Sequence, residues 1–459
     1  MRDHSRHIQL SRDEAVSRML AAVDETPGGF GWSKALSGEE AHACEVGRKC
    51  VEQVSLEQSV GRVLAYDVTS RCDTPSALTC GMDSIALHWS DFEGLAEGEL
   101  PDTSAWVRGV DWQFANTGVA MPEGFDTAIV IEHVQVSDDQ QHVTIDAAPS
   151  KQGAGTRPAG STRKRGDMLA AAGTVVTPDV AARIGSGDNA VVPVVRKPRV
   201  AFIPTGNELV PAGVPLDPMR VDQFAARGRN FETNSILVRA KVEAWGGQFI
   251  PFDIVCDERP EIEAAIKRAC EVADIVVLNA GSSKGSDDWS CEVMDEMGEM
   301  ICHQTNHGPG HHSSYAVVDG VPIVGISGPS GGASFTLDFY LRPVMRKFLG
   351  LDPIVPKTAA RLAASFPAPK HGPGAKGEGK PAGEERPPEH PEHEDGKPEF
   401  FGIRPLVVAP NAEGVLEARP VDGRPGSQSA WGANAYAMIG MGPGIEPPAE
   451  GDIIEVEFI

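Results

Sequence analysis

The sequence predicts a multidomain α/β plus β protein: a doubly wound α/β domain, a helical N-terminal linker domain, an inserted small β domain and a C-terminal β domain. Three observations predict it. Between Arg199 and Gly350 strand-like and helix-like segments alternate; short β-type runs with turn signals lie on both flanks; and a Pro-, Gly- and acid-rich stretch sets off the C-terminal module. The chain of 459 residues has room for about three domains at ~150 residues each, and 41% hydrophobic content suffices for their cores.

Taken in order, residues 8–65 read mainly as helix, carried by SRDEAVSRMLAAV and SLEQSVGRVLA, and are expected to pack with residues 157–195. Residues 71–150 hold SIALHW, TAIVIEHV and HVTID between turn signals, a small β domain. RVAFI (199–203) reads as a buried strand, and a helix follows from Asn234 to Trp245, closed by Gly246 and Gly247. QFIPFDIV is the next strand, and Asp257 is expected to cap a helix with Pro260 in its first turn and Ile262, Ile266 and Ala269 on one face. ADIVVL (273–278), a helix through Met294, the strand VPIVGIS (321–327) and a helix from about Gly332 to Phe348 complete the pattern. The last module, 400–459, reads as β through PLVVA, VLEARPV, AYAMI and DIIEVEFI. The expected boundaries are therefore 1–70 with 151–195, 71–150, 196–350, 365–399 and 400–459.

Residues 365–399 contain eight Pro, six Gly, eight Asp or Glu and a single large apolar residue, Phe366, so burial cannot offset the entropy of ordering them. They are expected to be a disordered linker, and His371, His390 and His393 within it are read as incidental composition.

Forty-one Lys and Arg against sixty-five Asp and Glu give a net charge of -24, which disfavours attraction to nucleic acid or anionic lipid. An anion site must therefore be built locally. The start MRDHSRHIQLSRDE lacks the apolar core of a signal peptide and no apolar run approaches ~18 residues, so a cytoplasmic protein is expected. Eight Cys without a CxxC pair point to reduced thiols.

The sheet loops carry the chemistry. In a doubly wound sheet ligands sit at the carboxyl ends of the strands, where PTGNEL (204–209), NAGSSKGSDD (279–288) and SGPSGG (327–332) fall. Each joins a strand to a helix start, whose free N–H groups and positive dipole end favour anions. Glu208, Asp287 and Asp288 beside such a pocket would repel a phosphate unless a divalent cation bridged them. Magnesium-assisted chemistry on a phosphorylated ligand is the reading these residues give.

The runs SLEQSVGRVLAYDVTSRCDTPSALTCGMDSIAL, TGVAMPEGFDTAIVIE, PTGNELVPAG, NAGSSKGSDDW, GPGHHSSYAVVDGVPIVGISGPSGGASF and PGSQSAWGANAY, in that order, resemble the molybdopterin molybdenumtransferase family, the MoeA family that includes the E domain of gephyrin. The resemblance implies a homodimer of four-part subunits, with the site in a cleft between the α/β domain of one subunit and the N-terminal domains of the other. It implies that Mg²⁺ and adenylylated molybdopterin are bound, AMP is released and molybdate, or tungstate, is inserted. By motif, Asp83, Glu208 and Asp288 would be catalytic, the last two also as Mg²⁺ ligands. Thr117, Gly118, Thr205, Gly206, Gly281, Ser283, Lys284, Gly285, His311 and Ser330 would bind the pterin substrate, and Pro122, Gly124, Asp126 and Glu132 complete the segment around Thr117. A molybdopterin-adenylyltransferase or a client molybdoenzyme would be the protein partner.

The departures are specific. Both lysines of the family's KPGKP run are missing from Gly308, Pro309, Gly310, His311, His312, and Thr162 stands where the family has Asp. Ser84 follows Asp83 in place of Gly, and the second Gly-rich loop gains Lys284. Either protonated His307, His311 and His312, with Lys284, replace the lost charge, or molybdate is no longer the ligand; HxxxHH in a Gly-rich loop also reads as a solvated turn. The alternative is a non-catalytic protein that binds or delivers molybdopterin or the finished cofactor; a scaffold acting through the acidic linker is a weaker third reading.

Overall fold

The computed structural model describes residues 8–25, 51–96, 98–212, 230–279, 289–366, 400–423, 430, 432–442 and 444–459. The chain forms two compact units, residues 1–35 with 197–459 and residues 36–196. The fold is α/β with additional β domains.

The first unit is organised on a six-stranded sheet. Its strands are β1 (Arg199–Pro204), β2 (Gln248–Pro251), β3 (Ile275–Asn279), β4 (Glu299–Cys302), β5 (Ser314–Val318) and β6 (Val321–Ile326), in the order β2-β1-β3-β6-β5-β4. β2, β1, β3 and β6 are parallel, while β5 and β4 add an antiparallel edge that the alternation of elements did not reveal. The helices are α1 (Arg12–Glu25), α2 (Asn234–Ala244), α3 (Arg259–Val272), α4 (Ser290–Met297), α5 (Ser330–Thr336) and α6 (Arg342–Phe348), the last two joined through a π-helical turn at Leu337–Leu341.

The chain runs from β1 outward to β2 and then returns across β1 to β3, so the winding reverses between β1 and β3. One face of the sheet buries Ala201, Ile203, Val276 and Leu278 against Ile262, Ala265, Ile266 and Ala269 of α3 and Val293 and Met294 of α4. The alternate β1 residues Val200 and Phe202 are buried towards the opposite face, with α2 against β1 and its Val238 and Val242 buried. Each helix turns an apolar stripe to the sheet, the pattern that the sequence carries.

Two expectations change here. Asp257 does not cap α3: its carboxylate accepts the N–H of Asn207 at 2.9 Å, and Glu258 holds the cap position without a side-chain bond. The strand QFIPFDIV is regular only over Gln248–Pro251, because Val255 turns in to bridge Thr205.

α1 belongs to this same unit and not to the one containing residues 51–70. Its buried residues Ala15, Met19, Ala22 and Val23 follow one helical face and pack near β4, β5 and α6. The strand just before it, Gln9–Leu10, pairs in parallel with Gln304–Thr305.

The C-terminal β domain is a closed barrel of β7 (Thr358–Leu362), β8 (Phe400–Pro410), β9 (Leu416–Pro420), β10 (Ala435–Met441) and β11 (Ile453–Phe458), in the order β8-β9-β7-β11-β10 and back to β8. Closure removes free edges. Leu362, Leu406, Val408, Ile439, Ile454 and Val456 fill it. β7 precedes the stretch read as a linker, so the domain begins before residue 400. Phe366, which the composition placed in that linker, packs against the barrel core. Residues 367–399 lie outside the described residues.

The second unit joins a helix-containing part to an inserted β part. Val51–Ser55 pairs antiparallel with Val191–Val195, and a helix over Pro178–Gly185 begins with Thr177, whose hydroxyl accepts the Val180 N–H at 3.2 Å. Leu64, Val68, Leu169, Val176, Ile184, Val192 and Val194 form its core. The helix expected over SLEQSVGRVLA is not formed: Glu57–Ser59 make one 3-10 turn, and Val63 and Leu64 enter β-bridges. Tertiary pairing overrides the local apolar spacing there. In the inserted part Ser84–Leu87 lies between Trp112–Ala115 and Thr127–Val130, with a hairpin of Val134–Val136 and Val143–Ile145 beside it. Ile85 and Leu87 face one core with Phe92, Trp106 and Trp112; Ala86 faces another with Cys80, Ala115 and Phe125.

Candidate functional site

At the winding reversal the ends of β1, β3 and β6 converge through short polar contacts. Thr205, at the end of β1, donates its hydroxyl hydrogen to the Asn279 carbonyl at the end of β3, 2.6 Å away. Asn234, the first residue of α2, donates through Nδ2 to Asn279 Oδ1 at 2.7 Å and to the Gly328 carbonyl after β6 at 2.9 Å. One asparagine thus ties the loops after β3 and β6 together.

Asn234 is 3% exposed, yet among the described residues its Oδ1 has no partner, and neither has the buried Ser327 Oγ after β6. Leaving a buried acceptor or donor unpaired costs on the order of 1–3 kcal/mol. Unpaired polar atoms at the carboxyl ends of these strands are what a polar ligand would satisfy.

Glu208 follows on an exposed turn. Gly206 has φ +148°, and a Cβ there would lie 2.8 Å from Leu209 and 2.9 Å from Glu208 Oε2, so only glycine lets the carboxylate fold back over the backbone. Asn207 and Asp257 hold the base of this turn through their backbone N–H groups, and the Gly206 N–H donates to the Val255 carbonyl at 3.1 Å.

Ser330 opens α5 at the same end of the sheet and is exposed. Against the first turn of that helix lies the loop carrying His311. A Cβ on Gly332 would come 2.6 Å from Ser327 Oγ and 3.3 Å from the Gly310 nitrogen. Ser313 donates to the Gly310 carbonyl and shares a 2.6 Å bond with Thr336.

Two of the three histidines of this loop are shifted towards the neutral form. His307 is fully buried, its Nε2 2.7 Å from the Tyr340 hydroxyl and its ring stacked on Tyr340. Burial, with the Arg12 charge and His311 adding to it, pushes its pKa down to about 4, so it is neutral near pH 7. His311 lies at the surface with its ring tilted against His312, centroids 3.8 Å apart, and partial desolvation followed by the neighbouring imidazole lowers its pKa as well. The expectation that these side chains restore the lost positive charge is therefore corrected for His307, and His311 is shifted in the same direction: a buried imidazole sheds its proton where an exposed lysine keeps it.

The 36–196 unit carries a separate set. Asp83 is exposed, and its Oδ1 accepts both the backbone N–H and the hydroxyl of Thr117, each at 2.9 Å. These bonds, the backbone one first, hold the Asp83 carboxyl below its usual range. Gly118 follows at φ +75°, which keeps the turn open beside the pair. Asp126 has a holding role: it accepts from Trp89 N at 2.8 Å, Gln152 Nε2 at 2.7 Å and Thr127 Oγ1 at 3.1 Å. Glu132 is exposed on the same part of the fold.

The structure thus gathers Thr205, Gly206, Glu208, Ser330 and His311 at one end of the sheet, and Asp83, Thr117 and Gly118 at one turn of the other unit. Gly281, Ser283, Lys284, Gly285, Asp287 and Asp288 lie outside the described residues. Among the described residues no group of three or more His, Cys, Asp or Glu is arranged to hold a metal. Sequence reasoning missed Asn234, Asn279 and Ser327 as site residues. Each stood at the predicted end of a strand or start of a helix, but a helix-start asparagine reads as a cap until its burial is known.

Comparison with known proteins agrees with this architecture. Residues 10–186 match the family described as MoeA N-terminal region (domain I and II), and residues 201–347 match the one described as Probable molybdopterin binding domain. The molybdopterin molybdenumtransferase of Bacillus subtilis is 27% identical over 340 residues, covering 69% of this chain and 75% of that protein. The one from Haemophilus influenzae is 26% identical over 307 residues, 65% of this chain and 73% of the relative. Among solved structures, a molybdopterin biosynthesis moea protein from Pyrococcus horikosii superposes with a TM-score of 0.67 at 20% identity, over 98% of this chain and 99% of that one. From its first helix to the end of the α/β domain, then, the chain belongs to the molybdopterin molybdenumtransferase, or MoeA, family.

Proposed function

We propose that the protein works in molybdenum cofactor biosynthesis, inserting molybdate or tungstate into adenylylated molybdopterin with Mg²⁺ and release of AMP. The relatives named above are molybdopterin molybdenumtransferases. The observation that carries the reading is the polar junction at the ends of β1, β3 and β6, where Asn234 Oδ1 and Ser327 Oγ are buried and have no partner among the described residues. A phosphorylated pterin brings donors and acceptors for both.

In this reading Thr205 and Asn279 fix the junction, Asn234 and Ser327 bond the substrate, and Ser330 with the helix start beyond it faces its anionic groups. Glu208 suits Mg²⁺: the ion takes one or two protein carboxylates and completes its shell with water and phosphate oxygens, and Glu208 is a hard, exposed oxygen donor at the junction. Asp288 is the second proposed ligand. When bound, Mg²⁺ would neutralise phosphate charge as the adenylate bond breaks. Asp83, held ionised by Thr117, would position a water or the pterin from the other unit, and Thr117 and Gly118 would line that position. A homodimer, in which Asp83 of one subunit serves the Glu208 loop of its partner, is part of the proposal.

Mixing the protein with adenylylated molybdopterin, Mg²⁺ and molybdate tests it. AMP release by the native chain is expected, and Glu208→Gln should lower it at least a hundredfold without changing the thermal midpoint. Equal release by the two proteins would remove Glu208 from the mechanism.

A second reading, binding or delivery without turnover, is favoured by one finding: His307 is neutral near pH 7 and the His311 pKa is lowered, so neither is the fixed cation that an oxyanion needs. Tight pterin binding with no AMP release would select it.

A further inference from the structure

The chain carries a net charge of -24, yet residues 151–166 hold five Lys or Arg and no Asp or Glu. This run lies in the 36–196 unit, and its backbone is fixed against an earlier segment. Thr74 and Arg163 exchange both backbone bonds, the Thr74 N–H donating at 2.8 Å and the Arg163 N–H at 3.0 Å. The Gly160 N–H donates to the Pro75 carbonyl at 2.9 Å, the Gly166 N–H to the Ser70 carbonyl at 2.8 Å, and the Ser70 N–H to the Asp167 carbonyl at 2.8 Å. Residues 160–167 are thus laced along residues 70–75. Gly160 makes the turn at φ +69°, where a Cβ would come 3.4 Å from Lys164 Cγ and 3.5 Å from the Asp73 carboxyl.

Two carboxylates border the run, and both are turned to its backbone. Asp73 Oδ1 accepts the Arg165 N–H at 2.8 Å, and Asp167 Oδ2 accepts the Lys164 N–H at 2.7 Å. The side chains of Arg71, Lys164 and Arg165 stay exposed, and none of the three makes an ion pair among the described residues. Elsewhere Arg12, Arg18, Arg62, Lys241, Arg259 and Lys267 each have a carboxylate partner.

We propose that this face of the 36–196 unit, centred on Arg71, Lys164 and Arg165, is a docking surface for an acidic segment of a partner protein. A backbone already held by its own ladder presents the three cations with little ordering left to do on binding. Exposed charges of one sign steer encounter and set register more than they add affinity, which suits a partner that comes and goes. A nucleic acid matches the face less well. Residues 151–167 contain no aromatic side chain on which a base could stack and no helix to enter a groove, and the acidic remainder of the chain repels a long polyanion. A short acidic segment meets mainly the local field, because salt screens the rest beyond about 10 Å.

Fluorescence anisotropy of labelled decaglutamate with the full chain in about 50 mM NaCl tests this, with labelled decathymidylate as the nucleic-acid comparison. The native chain is set beside the combined variant Arg71→Gln, Lys164→Gln, Arg165→Gln and beside Arg183→Gln, Arg239→Gln, Arg268→Gln, which removes the same charge from exposed positions elsewhere. The native chain should bind the peptide more tightly than the oligonucleotide. The first variant should weaken peptide binding at least tenfold and the second less than twofold, and about 200 mM NaCl should weaken native binding severalfold. Thermal midpoints check folding. Since Asp73 and Asp167 bond to backbone N–H groups, the glutamines spare the ladder, and Arg165→Gln alone should still weaken binding at least twofold if the combined variant is unstable. No peptide binding by the native chain, or equal losses in the two variants, overturns the proposal. Tighter binding of the oligonucleotide would make the face a nucleic-acid surface instead, and a change of sedimenting mass in the first variant would make it a contact between copies of the chain; either result also overturns it.

Discussion

His307 shows how little a residue's type settles before its surroundings are known. In the sequence it is a histidine in a Gly-rich loop; in the fold it is buried against Tyr340 and Phe339. Its folded pKa, about 4, lies below the ordinary ~6.5, so the unfolded chain binds the extra proton between those values. Stability is therefore fully expressed above about pH 6.5 and falls as pH drops towards 4, by on the order of 3 kcal/mol from this group. Urea midpoints for native protein and His307→Gln between pH 4 and 7 should show the steeper loss in the native chain; parallel curves would contradict the burial argument. The neighbouring positions separate as well. A Cβ on Gly308 would lie 2.9 Å from the Phe400 ring, so a lysine there must first displace the residue that opens β8, whereas His311 is exposed. His311→Lys alone is the cleaner way to restore a cation, and it should raise molybdate affinity severalfold at pH 8, where imidazole is neutral. Equilibrium dialysis with molybdate would read it, and no gain would mean that this loop does not face the anion.

At the scale of elements, the sequence disclosed what periodicity carries and hid what pairing decides. β1, β3, β6 and the helices between them were legible because a buried parallel strand and an amphipathic helix each write their burial into one contiguous run. β4, β5 and β7 were not, since short strands in Gly-rich or charged context acquire identity only from their neighbours. The 55–65 segment failed for the same reason in reverse, its helix-like spacing serving β-bridges instead. At the site, Glu208 and Thr205 were readable from the loop after β1, while Asn234 and Ser327 owe their standing to burial that no local pattern encodes. The barrel sharpens one expectation. Removing residues 369–397 should leave pterin affinity within twofold and the thermal midpoint nearly unchanged. Extending the cut to include Phe366 should lower stability by about 2 kcal/mol, less than the ~3–5 kcal/mol of a fully buried phenylalanine because Phe366 is only partly buried. Calorimetry on both deletions distinguishes them.

For the whole molecule, the proposed mechanism predicts a dimer. Asp83 and Thr117 reside in one unit and Glu208 in the other, and the homodimer reading draws them from two chains. Sedimentation at micromolar concentration should give twice the chain mass; a monomer that still released AMP would contradict the shared site. Arg12 adds a link inside the first unit, because its guanidinium, 2.6 Å from Glu457, joins α1 to β11, and Tyr436 donates to the same carboxylate at 2.7 Å. The barrel then has a consequence for how the polypeptide can be divided. β7 pairs with β9 and β11, which come after residue 399, and α1 reaches β11 through Arg12. Two separately expressed pieces, one ending and the other starting within residues 369–397, would each hold an incomplete barrel whose missing strands lie on the other piece. They should recognise each other and copurify as a stoichiometric pair, making the protein a natural candidate for a split reporter whose reassembly is read by barrel closure.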